Sequence, residues 1–292
     1  MENVVQSYSK SRKDSRFYKF LKKAVKSPQL MVGFGIVFFF ILVAIFAPLL
    51  APYDPLEISI PNRFQSFSGT HWLGTDNLGR DVLSRLIYGA RVSLTVGITA
   101  TLLGGSIGVT IGIISGYYGG KVDTLIMRLV DVMLAFPGLL LALGIVAALG
   151  RSTNNVIIAI AVFAIPSFAR VVRASTLSIV KLEYIDAARA IGAGDLRIIF
   201  LHILPNILSP IIVQASLNVG GAITGAAGLA FLGVGTPPPT PDWGIMLIQG
   251  RESIHMFPRL VIMPGLVIFF LVVGINLFGN GLRDVMQPKK RA

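Results

Sequence analysis

The sequence contains no cysteine, and this absence excludes disulfide bonds, thiolate catalysis and cysteine-ligated metal sites. Charged residues are also scarce, because Asp, Glu, Lys and Arg together make up 14% of the 292 residues. A soluble domain carries about a quarter. The three histidines, His71, His202 and His255, are too scattered to indicate a metal cluster. No His-Glu-x-x-His motif occurs either, so the sequence offers no metalloprotease site for the alternative of an intramembrane enzyme.

Apolar residues are abundant instead, since they form 53% of the chain and the mean hydropathy is +0.74. A helix needs about 20 mainly apolar residues to cross a bilayer. Six stretches meet or approach that length, at 30–50, 92–117, 125–149, 156–173, 207–232 and 258–282. We therefore predict an all-α polytopic membrane protein with six transmembrane helices.

The basic residues have a distribution that indicates how the chain is oriented. Lys and Arg outnumber Asp and Glu by 26 to 14, but they lie mainly beside apolar stretches, so we predict no nucleic-acid partner. With both termini and residues 181–205 in the cytoplasm, nineteen of the 26 lie inside and seven outside. This bias follows the positive-inside rule. We predict a multi-pass protein of the cytoplasmic membrane, with the lipid bilayer around it.

Residues 181–205 form a polar stretch between the fourth and fifth apolar runs. Its pattern predicts two short helices with a turn between them. Gly192 ends the first helix, Asp195 is a candidate N-cap of the second, and Pro205 marks its end. Small side chains such as Ala187 and Ala188 would let another protein's groove approach the backbone closely. The alternative is an ordinary helical hairpin between two spans.

Residues 181–205 resemble the "EAA" signature of permease subunits of binding-protein-dependent ABC importers, and we call them the coupling loop for the ATPase contact that this resemblance implies. That signature is Glu-Ala-Ala, three residues, Gly, nine residues, then Ile-x-Leu-Pro. Asp stands here for the first Glu, and His202 stands where Ile is usual, a form similar to the peptide/nickel branch. The residues that we expect to couple to the ATPase are Asp186, Ala187, Ala188, Arg189, Gly192, Leu204 and Pro205.

The resemblance covers nearly the whole chain and implies a MetI-like permease core at 92–285. The first helix with its outer segment, 29–91, is the addition found in C-type permeases, and basic cytoplasmic tails lie at 1–28 and 286–292. It implies one permease subunit of a prokaryotic ATP-driven importer for dipeptides, oligopeptides or a related small solute such as glutathione or a nickel chelate. The implied partners are a second permease subunit, two cytoplasmic ATPase subunits and an extracytoplasmic solute-binding protein.

No nucleotide site is expected in this chain itself, so it needs no cofactor and performs no catalysis. A phosphate loop ending at Lys121 fails, because Ser115 replaces its first glycine and Val122 its Ser or Thr. ATP and magnesium would therefore be used by the partner subunits. The alternative is a secondary transporter or channel, which would need ionisable residues near the bilayer midplane. The charges of the spans cluster at their ends, which argues against it.

Further expectations concern the spans. Glycines at 104, 108, 112 and 116 recur every fourth residue and predict close helix packing. Arg128 and Asp131, three residues apart, predict either a mutual ion pair or a gating role. Phe136 and Pro137 predict a bend in the third span.

The fifth span carries polar residues that could line a pathway or make simple helix contacts: Gln214, Ser216, Asn218 and Thr224. The segment between the first two spans could contact a delivering protein or pack on the bundle. Trp243 suits a position at the membrane interface.

Overall fold

The computed structural model describes residues 22–286, and within that range it contains helices and no β-strand apart from an isolated bridge. A 3-10 turn covers Ile60–Asn62, and a π-helical segment covers Ile199–Ile203. The predicted tails at 1–28 and 286–292 lie largely outside the described residues. The helices are α1 Pro28–Ile45, α2 Ala47–Leu50, α3 Val82–Tyr118, α4 Gly120–Ala135, α5 Gly138–Leu149, α6 Thr153–Val180, α7 Glu183–Ala190, α8 Asp195–Ile198, α9 Leu204–Phe231, α10 Trp243–Arg251 and α11 Arg259–Met286.

Five helices in the described part of the chain are long and apolar enough to cross a membrane, and α4 with α5 makes a sixth if that bent pair is one span. The all-α class is confirmed. The bend itself is also confirmed, at 88° between α4 and α5. Phe136 has extended backbone angles, as expected for a residue that precedes proline.

The glycine stripe of α3 packs directly on the backbone of α6. A Cβ atom on Gly108 would lie 2.7 Å from the carbonyl oxygen of Ile165, and one on Gly112 would lie 2.7 Å from that of Ala169. Real side chains cannot approach a carbonyl oxygen so closely. The predicted packing role of these glycines is therefore confirmed, and this helix pair forms the centre of the bundle.

The first helix lies against the last one through a similar use of glycine. A Cβ atom on Gly281 of α11 would lie 2.5 Å from the backbone nitrogen of Leu30. On the other side, a Cβ on Gly33 of α1 would lie 2.7 Å from the Cα of Phe278. Each helix therefore contributes a glycine that lets the other backbone come close, and this close packing helps to hold α1 on the bundle.

The predicted ion pair between Arg128 and Asp131 is wrong. Asp131 pairs instead with Arg170 of α6, whose guanidinium lies 2.7 Å from the carboxylate. Spacing along α4 allowed the local pair, but α6 places a competing arginine beside the same carboxylate. The pair joins α4 to α6, and both side chains are more than half exposed.

Helix α3 begins at Val82, ten residues before the predicted start of the second span. Asp81 is the reason, because its side chain accepts a hydrogen bond from the backbone N–H of Ser84 at 2.7 Å. This is the geometry of an N-cap. The same carboxylate also contacts Nδ1 of His71 at 2.9 Å, so the helix start is tied to the outer segment.

The outer segment between α2 and α3 packs on the bundle through buried charges. Asp76 contacts Nε of Arg80 at 2.7 Å and Nε of Arg85 at 3.6 Å. Both arginines are almost fully buried. Their guanidiniums also donate to Oε1 of Gln249 on α10, at 3.1 and 3.4 Å. Packing on the bundle is therefore observed, while contact with a delivering protein stays a prediction.

Trp243 is buried inside the protein, and its position at the membrane interface stays a prediction. Its side chain is 1% exposed, and its indole N–H donates to the carbonyl oxygen of Leu86 at 2.9 Å. The space for the ring exists because Gly89 has no side chain. A Cβ at that position would lie 2.5 Å from the indole ring. The tryptophan therefore joins α10 to the N-terminal part of α3.

Candidate coupling site

The first half of the coupling loop is helix α7, which lies against the bundle with one face. Ile185 is fully buried and Ala188 is 7% exposed. Ile185 packs in an apolar cluster that includes Ile113 of α3 and Val172 of α6. Ile185 and Ala188 are three residues apart and therefore share the helix face that lies on the bundle. Ala187 lies outside that face and is exposed.

A glycine turn ends α7, as the sequence predicts. Gly192 has a φ of +84°, a backbone conformation that costs other residues about 1–2 kcal/mol. Its N–H donates to the carbonyl oxygen of Arg189 at 2.9 Å, and the N–H of Ala193 donates to that of Ala188 at 3.0 Å. These two bonds form a Schellman motif. The turn therefore satisfies the last carbonyl groups of α7 with its own backbone.

The second half of the loop differs from prediction at both of its ends. Gly194 occupies the N-cap, and Asp195 is the first helical residue, so the N-cap prediction is wrong. Pro205 does not end the helix either, because the helix runs continuously over Asp195–Phe231. Leu204 donates to the carbonyl oxygen of Ile199 in a π-type turn. This wider turn precedes a proline that has no N–H to donate.

The two halves enclose a groove of about 460 Å³, which we call the coupling groove. Its small residues are Ala187, Ala188, Gly192 and Ala193. Larger side chains stand at its rim: Tyr184, Ile191, Arg197 and His202. A concave surface with a floor of alanine and glycine admits a protruding side chain or helix of another protein.

The structure gathers some of the predicted coupling residues and separates others. Ala187, Ala188 and Gly192 line the coupling groove. Asp186 and Arg189 pair with each other beside it, at 3.4 Å and with exposed side chains. The remaining two, Leu204 and Pro205, begin α9 and do not line the groove.

Sequence reasoning missed the rim of the groove. Tyr184, Ala188 and Ile191 follow one another at intervals of four and three residues, which is one face of a helix. That spacing was the signal that could have identified Tyr184 and Ile191 as rim residues. Arg197 and His202 have no comparable local signal, because their position depends on how the turn folds the second half back.

Three of the four polar residues proposed for a pathway donate side-chain hydrogen bonds to the backbone of α9. Ser216 donates to the carbonyl oxygen of Ile212 at 2.9 Å, and Thr224 donates to that of Gly220 at 3.0 Å. The Asn218 amide donates to the carbonyl oxygen of Gln214 at 3.0 Å. Polar side chains bonded in this way can face lipid, a neighbouring helix or a water-filled path.

Gly104 to Gly108 spell Gly-x-Ser-x-Gly, the pattern around the nucleophile of many hydrolases. In those enzymes the serine sits on a sharp turn between a strand and a helix. Here Ser106 lies in the middle of α3, and its hydroxyl donates to the carbonyl oxygen of Leu103 at 2.9 Å. The local structure does not fit a hydrolase nucleophile.

Residues 108–292 match the family described as "Binding-protein-dependent transport system inner membrane component". The chain belongs to this family. Residues 15–66 also match the "N-terminal TM domain of oligopeptide transport permease C". The protein is therefore a multi-pass transport permease of the C type, and membership supports the importer prediction rather than a secondary transporter or channel.

Relatives that match nearly the whole chain are also named as transport system permease proteins. A dipeptide transport system permease protein DppC from Alkalihalophilus pseudofirmus is 49% identical over 93% of this chain and 89% of its own length. A glutathione transport system permease protein GsiD from Escherichia coli is 44% identical over 94% of this chain and 90% of its own.

Solved structures share the fold of most of this permease. Two inward-facing crystal forms of the MetNI methionine ABC transporter superpose with a TM-score of 0.57, at 18% and 19% identity. Each covers 70% of this chain and almost all of the matched chain. The MetI-like fold is therefore confirmed. The uncovered 30% leaves room for parts that this permease adds to that fold.

Proposed function

We propose that this permease is one of two membrane subunits of an ATP-driven importer for peptides or a related small solute. Its relatives are named for dipeptide and for glutathione transport, and glutathione is itself a small peptide. The single observation that carries the proposal is the coupling groove, an exposed concave surface with a floor of alanine and glycine.

The coupling groove suits an ATPase subunit that delivers mechanical force. Ile185, Ile198 and Ile203 are fully buried against the bundle, so the loop is held firmly from the membrane side. Its outer face offers small side chains to a partner. A partner that pushes on such a loop would move it as a rigid lever and shift the bundle between two discrete packings. Two ATPase subunits would drive this permease and its second membrane subunit.

The solute would cross between the two membrane subunits, and α9 contributes to the path in this proposal. Gln214, Asn218, Gly221 and Gly225 lie on one face of α9 at intervals of four, three and four residues. A Cβ atom on either glycine would meet nothing within 4 Å. Ser216 and Thr224, the other two residues proposed for the path, lie outside that face, and Ser216 is on the opposite side of the helix. An extracytoplasmic binding protein would deliver the solute.

Ala187→Trp is expected to reduce ATP-dependent uptake at least tenfold and to release the ATPase subunits from the purified complex. The indole would occupy the coupling groove and exclude the partner. Uptake in proteoliposomes and co-purification of the ATPases measure the two effects.

The matched control is Ala190→Trp. Ala190 is exposed on the same helix but does not line the coupling groove. The control variant is expected to keep its ATPases and at least half of the uptake. Equal behaviour of the two variants would count against docking in the groove.

The proposed orientation places the outer segment outside and the coupling loop in the cytoplasm. Because the chain has no cysteine, single cysteines can report each side without background. Gly69→Cys in the outer segment is expected to react with an impermeant maleimide in intact cells. Ala190→Cys is expected to react only after permeabilisation, in cells that lack the ATPases. The reverse pattern of labelling would refute this orientation.

A further inference from the structure

One tyrosine of the bundle touches both halves of the coupling loop. Tyr117, near the cytoplasmic end of α3, donates its hydroxyl to Oδ1 of Asp195 at 2.7 Å. The guanidinium carbon of Arg189 lies 5.4 Å from the centre of its ring, within the range of a cation–π contact. Asp195 follows the turn at Gly192, and Arg189 precedes it. We call this pair of interactions the Tyr117 contact.

The ring that makes the Tyr117 contact is held in place. Tyr117 is 7% exposed and packs in the apolar cluster that also contains Ile185 of α7 and Ile198 of α8. Apolar packing holds the loop against the bundle, but it has little directional preference. The hydrogen bond and the cation–π contact are directional, so they can set the angle at which the loop stands.

The end of α3 is itself tied to two other helices. Two residues before Tyr117, the hydroxyl of Ser115 donates to Asp123 of α4. The same carboxylate accepts two hydrogen bonds from the guanidinium of Arg173 on α6. A displacement of the coupling loop that is passed to Tyr117 would therefore reach α3, α4 and α6 together.

We propose that Tyr117 is a positioning residue that transmits movement of the coupling loop to α3. The glycine stripe of α3 lies directly on the α6 backbone, so a rotation of α3 moves the central helix pair. The proposal rests on the proposed ATPase docking, and it adds the point where the force enters the bundle. The carboxylate of Asp195, which does not cap its helix, binds the tyrosine instead.

Tyr117→Phe in the complete complex tests the proposal, because it removes the hydroxyl and keeps the ring. Uptake per ATP hydrolysed is expected to fall about tenfold, the ratio that corresponds to one hydrogen bond to a charged group. The ATPases should remain bound, since the coupling groove is untouched. Tyr88→Phe on the same helix is the matched control, because the Tyr88 hydroxyl has no hydrogen bond within the described residues. It is expected to leave the ratio unchanged.

Asp195→Ala and the double variant Tyr117→Phe/Asp195→Ala show whether the two residues act as a pair. The double variant is expected to be no worse than the more affected single variant, and Asp195→Asn, which keeps an acceptor oxygen, should restore part of the ratio. An unchanged ratio in Tyr117→Phe, or losses that multiply in the double variant, would overturn the proposal. Loss of the bound ATPases in Tyr117→Phe would overturn it as well.

Amide hydrogen exchange separates this proposal from the proposed docking. In the permease without ATPases, residues 183–198 are expected to exchange at least threefold faster in Tyr117→Phe than in the wild type. That result does not depend on whether the ATPases dock in the coupling groove. Equal exchange rates would refute the Tyr117 contact, whereas unimpaired docking in Ala187→Trp would refute only the docking site.

Discussion

Gly108→Leu is expected to prevent the permease from reaching its folded state. The first atom of the new side chain would lie 2.6 Å from the Cβ of Phe168 and 2.7 Å from the carbonyl oxygen of Ile165. Overpacking in a core typically costs 1–3 kcal/mol. Here the obstacle is partly backbone of α6, which cannot rotate aside, and leucine adds three further carbons. We expect a loss of more than about 3 kcal/mol.

The loss can be measured as the yield of monodisperse protein in detergent and as the midpoint of its thermal transition. Gly144→Leu in α5 is the matched control, because a Cβ at Gly144 meets no atom within 4 Å. It adds the same side chain to another membrane helix. The control is expected to behave like the wild type. A Gly108→Leu protein as stable as that control would show that α3 and α6 can separate without loss.

Asp76→Asn is expected to give the second largest effect, by leaving two buried arginines without a carboxylate. Arg80 and Arg85 are 3% and 1% exposed, and Asp76 is itself 8% exposed. Removing one partner of a buried ion pair costs about 3–5 kcal/mol, because the remaining charge cannot reach water. The outer segment should then detach from α10, because the two arginines that donate hydrogen bonds to Gln249 would no longer be held in place.

Proteolysis of the outer segment and the thermal transition of the permease measure this effect. Glu57→Gln is the matched control, since Glu57 is exposed in the same segment and has no ion pair within the described residues. It is expected to change neither measurement. Arg80→Met in the Asp76→Asn background should restore part of the stability, because it removes one unpaired charge. If the double variant is no more stable than Asp76→Asn, the cost does not come from buried charge.

The two largest expected effects, at Gly108 and at Asp76, concern contacts of different physical kinds. At Gly108 the helices touch with almost no side chain between them, which suits a lipid environment where apolar burial drives little association. At Asp76 a segment outside the apolar runs is held by charges, which are affordable only because each has a partner. The contact between α3 and α6 therefore depends on shape, whereas the contact between the outer segment and α10 depends on electrostatics.

The buried and the exposed ion pairs are expected to differ in how much their loss would destabilise the protein. The pair between Asp131 and Arg170 is more than half exposed on both sides, and such pairs contribute about 1 kcal/mol or less. The pair between Asp76 and Arg80 is buried on both sides. We therefore expect removal of a single charge to lower stability more at the pair between Asp76 and Arg80 than at the pair between Asp131 and Arg170.

Local pattern in the sequence determined the class of fold, the apolar spans, the bend at Pro137 and the turn at Gly192. Each depends on residues close together in the chain: hydrophobic runs, a proline, a glycine that can adopt positive φ. The glycine stripe of α3 is of the same kind, because its four-residue spacing lies within one helix. The spacing of the coupling loop likewise sufficed to identify the family.

Only the tertiary structure decided which partners the polar side chains found. Asp131 pairs with a residue 39 positions away, Tyr117 with one 78 positions away, and Trp243 with one 157 positions away. None of these contacts follows from residues that are neighbours in the chain. Periodicity reports which face a side chain occupies, but the residue across from it depends on how whole helices pack.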